Sequence, residues 1–169
     1  MDTQALTHHR KDKDEFFGQS PHSPVPPEGR SSFAGLSYFE PNSDLIFTVE
    51  PTPFPPEPVE IQTTTGDVRT YHKVATASVA VEGVAIELAL YSTGHDSLFL
   101  PFRDATSGNE SYGAGRYLDI DPNPDGTVTI DFNYAYAPFC AYSDRYSCAL
   151  PPVENWLTVP IKAGERVSA

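Results

Sequence analysis

PFRDATSGNESYGAGRYLD, Pro101–Asp119, is the stretch on which the reading of this chain turns. It opens at the end of one strand-like segment, closes inside another, and is polar and glycine-spaced between them. A connection of that length inside a small domain is either functional or disordered. This one carries Arg103, Asp104, Thr106, Ser107, Tyr112 and Arg116, which is not the composition of filler.

Outward from the loop, the pattern is that of strands and tight turns. Ser97–Phe102 precedes it and Gly115–Ile120 completes it, followed by the turn Asp121–Gly126, DPNPDG. Thr127–Phe132 then alternates polar and apolar residues. Upstream, Val84, Ile86, Leu88 and Leu90 share one face of a strand, with Ala85, Glu87, Ala89 and Tyr91 opposite. Glu82-Gly83 makes a hairpin turn, and Val68–Val81 is long enough to contain a bulge. Val59–Thr64, Leu45–Glu50 and Leu157–Lys162 read as further strands, with 65–67 a turn. Pro51–Pro58, PTPFPPEP, reads as polyproline II, either a rigid connection or an SH3-type ligand.

The front of the chain differs. Asp2–Phe17 is expected to be a helix, capped by Asp2 or Thr3, ended by Gly18, and docked through Leu6 and the pair Phe16–Phe17. His8 and His9 then point to different faces, which suits solvated side chains rather than a metal site. Ser20–Glu28 is a proline-fixed linker, and Phe33, Leu36 and Phe39 have the spacing of a helical turn. The expected fold is all-β and mainly antiparallel, a β-sandwich or partly open β-barrel with an N-terminal helix docked on it. Residues 1–169 read as a single domain, with a helix and extended arm over 1–44 and a β-domain over 45–162.

The net charge of -12 and pI near 4.6 exclude the function classes that need a basic surface. Lysine occurs only at 11, 13, 73 and 162. Neither nucleic acid nor an anionic membrane surface is an expected partner. The charge fits either an ordinary acidic protein or one working at very high salt. Residues 1–17 have no signal-peptide pattern, and the apolar-rich run Val74–Tyr91 is broken by Thr76, Ser78, Glu82, Gly83 and Glu87. A cytoplasmic protein is expected.

If 97–102, 115–120 and 127–132 are successive antiparallel neighbours, one rim of the sheet gathers Arg103, Asp104, Arg116 and Asn133. Arg116 also shares its face with Leu118 and Ile120. If that face is the core, its guanidinium needs a carboxylate or an anionic ligand. Asp104, Asp131 and Glu154 are the candidate partners. The expected ligand-binding set is Arg103, Asp104, Ser107, Tyr112, Arg116, Asn133, Tyr136 and Asn155, for a small polar or anionic ligand, with no cofactor and no metal. The aromatic run from Tyr134 to Trp156 either lines a pocket or seals the end of the sheet. Cys140 and Cys148, the only cysteines, read as buried thiols, a disulfide, or a redox or metal-binding pair, though two thiolates without a histidine fall short of a zinc site. A small hydrolase with Asp104 or Asp131 as general base, and an interaction module built on 51–58, are the alternatives to a ligand-binding domain.

FRDATSGNESYGAGRYLD, followed by DFNYAYAPFCAYSDRYSCALPPVENWLTVPIKAGER, resembles the signature of the uncharacterised domain-of-unknown-function family 1684 of bacteria and archaea. The front segments KDEFFGQSPHSPV and FAGLSYFEP resemble it too, so the likeness covers nearly the whole chain. It implies one small domain without an assigned activity. It marks Arg103, Asp104, Thr106, Ser107, Tyr112, Gly115, Arg116, Asp119, Asp131, Asn133, Tyr136, Cys140, Cys148, Pro151, Pro152, Glu154, Asn155, Gly164 and Glu165. Two departures are Ala137-Pro138-Phe139-Cys140, where the family has Asn-Pro-Pro-Cys, and Ala149, where proline is expected.

Overall fold

The computed structural model describes residues 1–167. The chain runs α1 (Thr3–Gln19), α2 (Pro27–Arg30), β1 (Ser37–Tyr38), β2 (Ile46–Val49), β3 (Thr52–Gln62), β4 (Val68–Val81), β5 (Val84–Ser92), β6 (Leu98–Phe102), β7 (Arg116–Ile120), β8 (Val128–Asp131) and β9 (Glu165–Arg166). β3 to β7 form one five-stranded antiparallel sheet in sequence order. β2 pairs with β8, and β1 with β9, as two further antiparallel ribbons. The architecture is all-β with an N-terminal helix, an open sandwich rather than a closed barrel. No described helix is long and apolar enough to cross a membrane.

Strand alternation explains the layers. Ala77, Val79, Val81, Leu88, Leu90, Leu100, Phe102, Leu118 and Ile120 point to one face and pack against Val128, Ile130 and Phe132 of the second layer. Ala89, Tyr91, Phe99 and Tyr117 point to the other face, where Ile61 and Ala149 join them. The sheet is therefore buried on both sides along β5 to β7, which is why these strands are nearly continuous hydrophobic runs.

β8 is not the neighbour of β7. After the turn at 121–126 it crosses to the second layer and pairs with β2 over Ile46–Val49. The free edge of β7 is taken by Tyr136 instead, whose N–H and C=O exchange bonds with Tyr117 at 3.0 and 2.8 Å. An alternating pattern shows that a segment is a half-buried strand but not which strand it pairs with.

Three local readings also change. Pro51–Pro58 is not a free polyproline II segment; most of it lies in edge strand β3, which pairs with β4 apart from a register shift between Pro53 and Glu57. Pro55 and Pro56 sit in that irregular stretch, where their missing N–H groups cost no ladder bond. The Phe33, Leu36 and Phe39 spacing belongs to an irregular arm and β1, not to a helical turn. The last strand is the short β9, beyond 157–162.

α1 begins at Asp2, whose carboxylate accepts from Ala5 N at 3.0 Å. Leu6 and Phe17 are its buried anchors, while Phe16 stays 39% exposed. Adjacent helical residues are about 100° apart, so only one of the pair can face the body. Phe17 packs edge-on to Tyr142 at 5.0 Å and to Phe139 at 6.0 Å. The polar residues of α1 complete the docking: Arg10 lies 4.3 Å over the Tyr38 ring, Asp14 accepts from Leu36 N, and Lys13 pairs with Glu165 at 2.5 Å.

At the far end, the turn after β3 is tied to the cysteine segment. Asp67 Oδ1 accepts from Thr63, Thr65 and Ser147 hydroxyls at 2.5, 2.6 and 3.1 Å. These bonds hold its carboxyl well below the ordinary 3.8. Because the folded-state pKa is depressed, the stabilisation is complete above the unfolded value and is lost as pH falls through the folded one. An NMR titration of the Asp67 carboxyl should show a midpoint under 3.8. A midpoint at or above that value would mean the three hydroxyls do not favour the ionised form.

Candidate functional site

The polar residues of the 103–116 loop are drawn inward. Arg116 is 0% exposed on the core face, beside Leu118 and Ile120, as its parity requires. Its guanidinium donates to the carbonyls of Ile161, Ala163 and Glu165 at 2.8, 2.5 and 3.0 Å, and to Asp104 Oδ1 at 3.3 Å. Asp104 Oδ2 accepts from Ile161 N, Thr106 N and the Thr106 hydroxyl, and Oδ1 also accepts from Ser107. Burial pushes the Arg116 guanidinium down, and the Asp104 charge opposes that shift.

Two asparagines act as peptide mimics. Asn133 Oδ1 accepts from Asn42 N at 2.8 Å while Nδ2 donates to Asn42 O and Asp131 Oδ1, both at 2.9 Å. Asn155 Oδ1 accepts from Ala89 N while Nδ2 donates to Ala89 O and Pro101 O, each at 2.9 Å. Asp104 accepts from five donors, and Asp131 Oδ1 accepts from Asn133 N and Nδ2, so both carboxylates hold backbone and side chains in place.

Of Arg103, Asp104, Arg116 and Asn133, Asp104 and Arg116 are bonded to each other, while Arg103 and Asn133 each take other partners. Arg103 points to the opposite face from Phe102 and stacks over Trp156 at 4.7 Å. Arg116 and Asn133 are both buried, Arg116 against the 161–165 carbonyls and Asn133 against the Asn42 main chain. The tight fit there comes from glycine: at Gly164, with φ +80°, a Cβ would stand 2.5 Å from Ala135 O and 2.8 Å from Phe132 O. Tyr136 leaves this group and donates to Asp119 at 2.6 Å in the groove beside α1.

Two members of the set reach open space: Tyr136 in the groove beside α1, and Tyr112 on the other side of the 139–142 turn. Tyr112 lines a cavity of about 250 Å³ together with Ser37, Ala141, Tyr142, Glu165 and Arg166. Glu165 is 2% exposed and fully engaged, by Lys13 on Oε2 and the Tyr142 hydroxyl on Oε1. Burial, then the Glu165 charge, pushes the phenols of Tyr142 and Tyr38 up, so both remain neutral donors. Arg166 lies 5.0 Å over the Phe39 ring, and among the described residues no carboxylate pairs with it. Its Nε is buried without a hydrogen-bond partner.

Lys13, Tyr38 and Arg166 are not among the residues expected from sequence, Tyr142 belongs to the aromatic run read as lining a pocket or sealing the sheet, and Glu165 is marked only by resemblance.

The model of the family described as "Protein of unknown function (DUF1684)" matches residues 31–166. No curated protein matches the chain. The solution NMR structure of an uncharacterized protein of Haloarcula marismortui is similar over 96% of this chain and 92% of that one, at 43% identity and TM-score 0.73. Neither name carries an activity. With the match spanning β1 to β9, the chain belongs to the DUF1684 family of proteins of unknown function.

Proposed function

We propose that this chain is a binding domain for a small anionic ligand, a carboxylate or comparable oxyanion, held in the cavity between Tyr112, Tyr142 and Arg166. The observation that carries the reading is the charge inventory of the cavity wall. Glu165 is matched by Lys13, whereas Arg166 brings a positive charge with no acidic partner among the described residues. An anion is the group that a half-buried, unpaired guanidinium lacks, and the neutral Tyr112 phenol can donate a hydrogen bond to it without repelling it. The size suits a metabolite of a few carbons, somewhat below the usual drug-sized pocket of about 300–1,000 Å³. The terminal nitrogens of Arg116 and the amide of Asn133 are spent within the chain, and Arg116 Nε, though unpaired, belongs to a side chain sealed in the core, so the ligand is placed in the cavity beside Tyr112 rather than at the Arg103/Arg116/Asn133 rim.

Amide shifts recorded on adding inorganic phosphate and a series of mono- and dicarboxylates, at constant ionic strength, test this. At least one probe should give saturable shifts confined to Tyr112, Ala141 and Arg166. Arg166→Gln should weaken it by about tenfold or more, the value of a charge-assisted hydrogen bond. Shifts spread evenly over the surface, or unchanged in Arg166→Gln, would remove the site.

A further inference from the structure

A second chemistry lies behind the cavity wall. Cys140 and Cys148 are both free and both only partly buried. Phe139, next to Cys140, and Tyr146, two residues before Cys148, pack edge-on at 5.3 Å, so the chain between the two thiols closes on itself. The Tyr112 hydroxyl stands 3.5 Å from Cys140 Sγ. The two cysteines are held independently. Cys140 sits in a single 3-10 turn, Phe139–Ala141. Cys148 is pinned to Thr64 by a bond from its N–H to Thr64 Oγ1 at 3.1 Å and one from Thr64 N to its carbonyl at 3.0 Å. The chain between them includes the exposed Asp144 and Arg145, so it can adjust while its ends stay in place.

We propose that Cys140 and Cys148 are a reversible thiol–disulfide site that reacts by exchange with low-molecular-weight disulfides. The Cys140 thiolate attacks one sulfur of the small disulfide RSSR, forming a mixed disulfide and releasing one RS⁻. The Cys148 thiolate then attacks Cys140 Sγ, forming the internal bond and releasing the second RS⁻. The two protons lost by the protein thiols go to the two released thiolates. The protein dithiol is oxidised and the small disulfide is reduced to two thiols. Burial pushes the Cys148 thiol up, which suits the resolving rather than the attacking role. Turning Cys140 Sγ toward Cys148 takes it away from Tyr112, so the state of the pair reaches the wall of the cavity.

The test does not depend on any cavity ligand. The reduced protein is treated with bis(2-hydroxyethyl) disulfide, quenched by alkylation and weighed intact. The expected product is a monomer lighter by two hydrogens, with both cysteines protected from alkylation and restored by dithiothreitol. Cys148→Ser should instead stop at the mixed disulfide on Cys140, and Cys140→Ser should react more slowly. Wild-type protein that keeps both thiols, holds a lasting small-molecule adduct, or cross-links into dimers overturns the proposal. Equal reaction rates for the two single variants overturn the assigned order of attack.

Discussion

Arg116→Met is expected to lower the unfolding free energy by about 3–5 kcal/mol, the cost of breaking a buried ion pair from one side. Methionine keeps the apolar stem of the side chain and ends where the guanidinium begins, so most of the volume along the stem stays filled. What it removes is the counter-charge of Asp104, whose side chain is 0% exposed, and the donors to the carbonyls of Ile161, Ala163 and Glu165. Buried groups left unpaired each cost about 1–3 kcal/mol before relaxation. Urea unfolding, monitored by tryptophan fluorescence and far-ultraviolet dichroism, reads the change. The double variant Arg116→Met/Asp104→Asn separates the two contributions. If the ion pair were the whole effect, the second substitution would restore most of the stability. Recovery should be partial, because the three carbonyls remain without donors in the double variant. A single-variant loss under about 1 kcal/mol, within the range of ordinary surface changes, would show that Arg116 does not organise the 161–165 segment.

That prediction rests on a residue whose role was half legible in the sequence. Parity along Gly115–Ile120 placed Arg116 on the core face, and the need for a counter-charge pointed to Asp104. Both inferences use distances of a few residues, over which strand geometry is fixed. The three carbonyl acceptors come from 45 to 49 residues away, and nothing local to Arg116 announces them. The same limit governs the fold. The turns at Gly66, Gly83 and Gly126 were readable because positive φ selects glycine, and the bulge in β4 because a strand that long must twist. The crossing of β8 to β2 was not readable, since its apolar face fits either layer and the choice is made by Asn133 seizing Asn42 across the chain. The cavity was missed for a related reason: its wall is assembled from β1, the 103–116 loop, the 139–142 turn and β9, four segments that are remote in sequence.

Asn155→Ala is expected to cost about 3 kcal/mol or more, and Asn155→Asp to cost still more at neutral pH, because of a proline. Continuing the β5–β6 register inward from Tyr91↔Phe99 places Ala89 opposite Pro101. In an antiparallel pair of that kind each residue gives an N–H and takes one, but Pro101 has none to give. The strands separate there, and the side-chain amide of Asn155 stands between them. It accepts from Ala89 N and donates to the carbonyls of Ala89 and Pro101, supplying the donor that proline lacks. Alanine at 155 would leave three main-chain groups unpaired in the interior. Aspartate has nearly the same shape yet turns the donor edge into an acceptor facing two carbonyls, so its charge is both desolvated and repelled. Burial would raise the pKa of that aspartate in the folded state. The penalty is then full at high pH and shrinks as pH falls through the folded-state value, where a protonated carboxyl can donate once. Unfolding free energies of the two variants measured from neutral to acid pH should therefore converge as acid is added. Equal stabilities for Asn155→Asp and Asn155→Ala at neutral pH would show that the amide is not bridging the strands.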